Sequence, residues 1–433
     1  MKILISAAGS HGDVLPFIAL AREFMARGHM VILYINPFFG PLAVDAGVQF
    51  VAIGTVEAYA SLFGELSETN PRKAFKRVAI EFAEICGLYY KAMEADIIAG
   101  STIVIGSSLL FAPRLLQETH DVRCATVHLA PSVFRSNHSP ARLIPAGWIN
   151  ADSPTVIKGL AWWYLDKFFY DPSFTVPLNR LRAALGLPAV ERIFDTWIHQ
   201  ADCVVGLFPE WFAAPQPDWP KDVEFTGFPL YDKACHAPLA DELEEFIAAG
   251  APPVAFSAGT ATSTANPFFK TSVEACRIGG FRGIMVSHFA DQVPRFLPDG
   301  VIHVNYAPFS TLLPRLGAFV HHGGIGATSQ ALRAGVPQLI RPSAYDQFDN
   351  AQRAVQLGVA REILPGRYKS HAVATALTEL TSDMSLRRRC QETSRHFDDA
   401  NPIAAACDAI LGGAAHVALA GNTTLAENRF EVT

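Results

Sequence analysis

Short, uninterrupted apolar runs, each followed by an amphipathic stretch, recur along this chain in two separate blocks. In the first block KILISAA (2–8), MVILYIN (30–36), QFVAI (49–53), TIVIGS (102–107) and RCATVHL (123–129) alternate with helical patterns at Leu15 to Arg27 and Leu109 to Thr119. A strand buried on both faces has no polar side to display, and strands joined by helices pair in parallel. The rhythm therefore predicts a doubly wound α/β domain. It restarts with PVAFSAG (253–259), RGIMVSH (282–288), VIHVNY (301–306), AFVHH (318–322) and PQLIRP (337–342). Between the blocks stand TGFPLYD (226–232), the charged helix DELEEFIAAG (241–250) and Pro252-Pro253. These mark a boundary. The expected organisation is a first domain over 1–228, a linker over 229–250, a second domain over 251–400, and a C-terminal helix and tail over 401–433 that returns to the first domain.

Composition narrows the function. The 433 residues are 50% hydrophobic and 18% charged, with a net charge of −6, which excludes a disordered chain and a basic nucleic-acid binder. Seven cysteines without a C-x-x-C pair suit a reducing compartment. The start MKILISAAGSHGD has no apolar core of a signal peptide, so a cytoplasmic protein is expected. The uncharged stretch Ile97 to Pro113 is broken by Gly100 and Gly106 and is too short to span a bilayer. Two strandless stretches, Tyr59 to Met93 and Trp148 to Leu185, are rich in aromatics. They read either as a helical layer packed on the sheet or as an apolar acceptor pocket, with Trp162, Trp163 and Phe168 as pocket candidates in the second.

The segment HHGGIGATSQALRAGVPQLIRPSAYDQFDN (321–350) carries the strongest chemical signal. A strand ends in two histidines, a glycine turn follows, and a helix begins at once. Unpaired N–H groups at such a helix start attract a phosphate or pyrophosphate, and the glycines let the main chain come close.

The order HxGG, GVP, P-x-x-x-DQ, together with GSHGDVLPFIALAREFMARGH (9–29), resembles the family 1 type glycosyltransferases, which have the GT-B fold of two facing Rossmann-like domains. Within that superfamily, GDVLPFIALA, LFPEWFAAPQPDWP (207–220), TGFPL (226–230), YAPFSTLLP (306–314) and GVPQLIRPSAYDQFDNAQR (335–353) are similar to the rhamnosyltransferase catalytic subunits of bacterial mono-rhamnolipid synthesis. The resemblance implies that His322 hydrogen-bonds the donor pyrophosphate, with main-chain contacts from Gly324, Gly326 and Ala327 and a further contact from Thr260. It implies that Tyr306 stacks on the nucleobase beside the backbone of Ala307, and that Asp346 and Gln347 grip sugar hydroxyls. Relatives that use UDP-sugars carry a ribose-binding Glu where this chain has Gln330, a departure that fits a dTDP-sugar.

Many relatives place a histidine where this chain has Asp13, so Asp13 is the expected base, with Ser10 as a helper that orients acceptor or phosphate. Asp13 also reads as the N-cap of the helix that follows it. His11 and His128 are weaker candidates, His128 for the acceptor pocket. There is no D-x-D element, and neither metal nor cofactor is expected. The resemblance implies transfer of L-rhamnose from dTDP-L-rhamnose to a 3-(3-hydroxyalkanoyloxy)alkanoate, at the inner membrane or beside an acceptor-synthesising protein. Open alternatives are a UDP-glucose-dependent enzyme acting on a lipid, sterol or polyketide, a non-catalytic sugar-nucleotide-binding subunit, and an epimerase.

Overall fold

Seven strands form the first sheet: β1 (Lys2–Ser6), β2 (Met30–Ile35), β3 (Phe50–Ala52), β4 (Thr102–Ser107), β5 (Arg123–His128), β6 (Cys203–Gly206) and β7 (Val223–Phe225), in the order β3-β2-β1-β4-β5-β6-β7. Six form the second: β8 (Val254–Ser257), β9 (Gly283–Val286), β10 (Val301–Val304), β11 (Ala318–His321), β12 (Gln338–Ile340) and β13 (Ala360–Glu362), in the order β10-β9-β8-β11-β12-β13. The computed structural model describes residues 1–65, 71–145, 152–231, 238–259, 265–398 and 401–412. Among these all strand pairs are parallel. The expected α/β architecture of two Rossmann-like domains is the observed one.

Side chains explain the unbroken apolar runs. On β1, Ile3 and Ile5 pack with Phe17, Leu20 and Phe24 of the helix His11–Ala26, whereas Leu4 points the other way, toward Tyr89 and Met93 of the helix Pro71–Glu94. Both faces of the sheet are covered, so every position is apolar. Each sheet also reverses its winding once, between β1 and β4 in the first and between β8 and β11 in the second. A crevice opens at the carboxyl ends of the strands at such a switch point, and ligands of open parallel sheets bind there.

The structure corrects three expectations. The helix Asp241–Ala248 is not a linker: it buries Leu243 and Ile247 against Ala255 and Ile284 of the second domain. Strands β6, β7 and β13 were not foreseen, because three or four residues are too few to show a period. The aromatic excess is not confined to the strandless stretches. Phe134, Phe208, Phe212, Trp219 and Phe228 share one core with Phe256 and Phe269 of the second domain, and Phe397 stacks on Phe228, so much of it builds the seam between domains.

In the stretch 148–185 the helix Thr155–Leu165 runs into a π-helical segment, Asp166–Thr175, which contains Pro172, and then into the helix Val176–Ala184. The helix 402–412 packs on the first domain through Ala406, Cys407 and Ile410. Arg27 anchors it by pairing with Asp408 at 2.5 Å and donating to the Ala404 carbonyl at 3.0 Å. The six described cysteines are buried and free. Among the described residues no helix is long and apolar enough to cross a membrane.

Candidate active site

The loop after β1 places Asp13 at the first switch point. Ser10, not Asp13, is the N-cap of the helix His11–Ala26, and Asp13 occupies the third helical position. The reading of Asp13 as the cap is thereby corrected. Its Oδ2 accepts two hydrogen bonds from Ser10, from the backbone N–H at 2.7 Å and from the hydroxyl at 2.8 Å. Ser10 thus holds the carboxylate, and both bonds fall on one oxygen. Burial raises the Asp13 pKa, while the two Ser10 bonds oppose the rise. Around this group stands an aromatic wall: His11 meets Phe38 and Phe39 edge-on at 5.7 and 5.2 Å, and Tyr59 stacks on Phe38 at 4.6 Å.

The second switch point holds His322, directly after β11. Its ring is clasped by glycines of both neighbouring loops. A Cβ on Gly259 would lie 2.7 Å from His322 Cε1, and one on Gly324 would lie 2.5 Å from Nε2. Burial lowers the His322 pKa to about 4, so the ring is neutral, and Nδ1 is buried with no hydrogen-bond partner. His321 underpins the turn: Nε2 donates to Gln338 Oε1 at 3.0 Å, and Nδ1 accepts from the Gly323 N–H at 3.1 Å. Gly324 caps the helix Ile325–Ala334, Gly326 is exposed, and Ala327 is half-buried in its first turn.

A cavity of ≈ 90 Å³ opens beside His322, lined also by Ala258, Pro267, Phe268, Arg341 and Ser343. Arg341 donates to Ser343 Oγ at 2.9 Å, its Nε is buried without a partner, and burial lowers its pKa. A cation with an unused N–H and a neutral imidazole with an unused nitrogen line this space, and the N-terminus of the helix Ile325–Ala334 lies just beyond His322 in the chain, an arrangement suited to a diphosphate. Arg341 was missed from the sequence. Its signal is the cation ending the apolar run PQLIRP, at the carboxyl edge of a parallel sheet.

Asp346 and Gln347 begin the helix Gln347–Gln356, behind the exposed Tyr345, whose φ of 56° is rarely adopted by a bulky residue. Gln347 Oε1 accepts from the N–H groups of Ser343 at 2.8 Å and Ala344 at 3.1 Å, leaving its amide NH₂ for another partner. Asn350, also missed, donates to Asp346 Oδ2 at 2.8 Å and to the Gly323 carbonyl at 3.0 Å. It ties the acidic loop to the glycine turn. Burial, with a contribution from the Asp13 charge, raises Asp346 to about 7. The two carboxyl groups belong to different domains. A smaller cavity of ≈ 30 Å³ lies between Gly12 and Pro16 of one domain and Ile325, Gly326 and Ser329 of the other.

Tyr306 is exposed and lies parallel to His288 at 5.9 Å, next to the buried Ala307. Thr260 lies outside the described residues. The acceptor candidates are dispersed. His128 does not line a pocket: it is wholly buried, bonded to Ser108 and His199, and packed on Phe134. Trp162 donates from Nε1 to the Ser136 carbonyl at 3.2 Å and lies under Arg135. Trp163 and Phe168 are more than half exposed and form an outer apolar face with Leu160 and Tyr164. Among the described residues no three His, Cys, Asp or Glu side chains gather as metal ligands.

Residues 3–139 match the glycosyltransferase family 28 N-terminal domain, and residues 283–405 match the erythromycin biosynthesis protein CIII-like C-terminal domain. Glycosyltransferase GtfE of Amycolatopsis orientalis is 30% identical over 370 residues, covering 83% of this chain and 85% of that protein. The chain is a glycosyltransferase of the GT-B fold. Among solved structures, the glycosyltransferase of kitacinnamycin is similar with a TM-score of 0.71 and 21% identity, covering 95% of this chain and 98% of that one. Spinosyn rhamnosyltransferase SpnG complexed with thymidine diphosphate is similar with a TM-score of 0.65 and 16% identity, covering 93% and 98%. The glycosyltransferase signature is thus spread over both domains.

Proposed function

We propose that this glycosyltransferase moves L-rhamnose from dTDP-L-rhamnose to the hydroxyl of a 3-(3-hydroxyalkanoyloxy)alkanoate, with inversion. The observation that carries the reading is the apposition of the Asp13 loop, through Gly12 and Pro16, to Ile325 and Gly326 at the helix start that follows His322. Asp13 Oδ1, free of the Ser10 bonds, takes the acceptor proton as the hydroxyl oxygen attacks the anomeric carbon. The dTDP leaving group is received by Arg341, by the His322 nitrogen and by the N–H groups at the start of the helix Ile325–Ala334. Tyr306 stacks on thymine, and Asp346 and Gln347 hold sugar hydroxyls. Gln330, whose Oε1 is buried without a partner in place of a ribose-binding carboxylate, supports a deoxyribose donor. The aromatic wall beside Asp13 and the apolar face of the helix Thr155–Leu165 support a greasy acceptor.

A second reading, a hydroxylated natural product as acceptor, is favoured by the similarity to the glycosyltransferase of kitacinnamycin. Purified protein given dTDP-L-rhamnose or UDP-glucose with the lipid acceptor, and its products weighed by mass spectrometry, separates the readings. Rhamnosyl lipid is the expected product; glucose transfer alone overturns the donor. Asp13→Asn is expected to bind dTDP normally while kcat falls by about 10²- to 10⁴-fold. An unchanged kcat removes Asp13 from the reaction.

A further inference from the structure

Ser108 directly follows β4, and Asp13 follows β1, so the two flank the switch point of the first sheet. The half-buried Ser108 heads a chain of three close contacts. Its Oγ lies 2.8 Å from His128 Nδ1, His128 Nε2 lies 3.1 Å from His199 Nδ1, and His199 Nε2 lies 3.3 Å from the Phe194 carbonyl oxygen. The far end sets the direction. A carbonyl only accepts, so His199 Nε2 carries the hydrogen and its Nδ1 is a lone pair. His128 Nε2 must donate to that lone pair, which leaves His128 Nδ1 as an acceptor, and the Ser108 hydroxyl must donate to it. Burial holds His128 well below the usual histidine range and His199 at about 4, so no extra proton reverses the order. Phe134 packs edge-on against His128 at 4.9 Å and parallel to His199 at 5.1 Å, fixing both rings.

A serine hydroxyl ordinarily serves as donor or acceptor. Here its one hydrogen points into the domain, so its free lone pairs are all that it offers a substrate. Among the described residues no side chain or backbone donor reaches that oxygen. The chain ends on a carbonyl and not a carboxylate, so it lacks the charge that would stabilise an imidazolium. It orients the serine; it does not make it a nucleophile.

We propose that Ser108 is a specificity-determining hydrogen-bond acceptor for a hydroxyl of the transferred sugar, held to that role by His128 and His199. This rests on the sugar-transfer reading above. The single hydroxyl of the lipid acceptor gives its proton to Asp13, so the remaining hydroxyl donors are those of the hexose and the deoxyribose 3′-hydroxyl, which free dTDP also carries and which the dTDP control therefore separates. The Asp13 loop meets the helix start after His322 at the cavity lined by Gly12, Pro16, Ile325 and Gly326, and Ser108 follows β4, the neighbour of β1, so a sugar carried by the diphosphate reaches the crevice that Ser108 flanks. A hexose bound through dTDP to the second domain is thereby read by the first.

Calorimetry tests this with dTDP, dTDP-L-rhamnose and dTDP-glucose on the full chain. In Ser108→Ala the affinity for a dTDP-hexose is expected to fall about tenfold while dTDP itself binds unchanged, and Ser108→Thr, which keeps the hydroxyl, is expected to restore it. Equal hexose affinity in wild type and Ser108→Ala overturns the proposal. Nitrogen-15 spectra of the imidazoles provide an arm that needs no ligand: both rings are expected as Nε2–H tautomers, and a His128 protonated on Nδ1 overturns the assignment. Transfer of glucose in place of rhamnose sinks the donor reading alone, since dTDP-glucose still reports on Ser108.

Discussion

Asp346 illustrates how one carboxyl group links the cleft to pH. Its folded pKa of about 7 lies above the ordinary value of 3.8, chiefly through burial. A carboxyl group raised in the folded state favours folding in its protonated form. Its contribution is fully present below the unfolded pKa and is lost as pH rises through about 7. Asp346→Asn keeps an oxygen for the Asn350 amide to donate to and cannot ionise. Thermal denaturation of the ligand-free protein is expected to show the variant more stable than wild type at pH 8, by about 1–2 kcal/mol, with the gain gone at pH 4. A difference independent of pH would show that Asp346 ionises freely. The sequence marked Asp13, His322 and Asp346 because their motif spacing survives in one dimension. Arg341, Asn350 and Ser108 escaped because their use depends on which side chains other strands bring beside them.

At the scale of elements, the two crevices use one device: a strand ends at a switch point, and a loop or helix start presents polar groups over its edge. The first positions a carboxylate through Ser10, and the second positions an imidazole between two glycines. Gly324 separates sterics from backbone strain. Its φ of −61° suits any residue, yet an added Cβ would press into the His322 ring at 2.5 Å. Gly324→Ala is therefore expected to fold as wild type but to bind dTDP at least about tenfold more weakly by calorimetry, as the displaced imidazole loses its phosphate contact. Unaltered affinity would place the diphosphate elsewhere. The long strands and the glycine turn were legible because period and punctuation mark them. The π-helical turn at Asp166–Thr175 was not, since its wide winding leaves no distinct apolar period.

At the scale of the whole molecule, the domains are joined by contacts that sequence reading assigned to neither. Arg142 of the first domain pairs with Glu362 at 2.8 Å, lies over Phe348, and donates its backbone N–H to Asp349 Oδ1 at 3.2 Å. Arg142→Ala leaves the half-buried Glu362 without its ion pair, and chemical denaturation is expected to show a loss of about 1–3 kcal/mol, with dTDP affinity retained. A neutral outcome would assign the joint to the aromatic seam alone.

The return of the helix 402–412 to the first sheet has a consequence for engineering. The second domain is an insertion within the first, tethered at both its ends. Grafting it onto a relative requires two junctions, one before Asp241 and one after Phe397. A chimera cut only once would carry a foreign terminal helix against Phe17 and Leu20 of its own first domain.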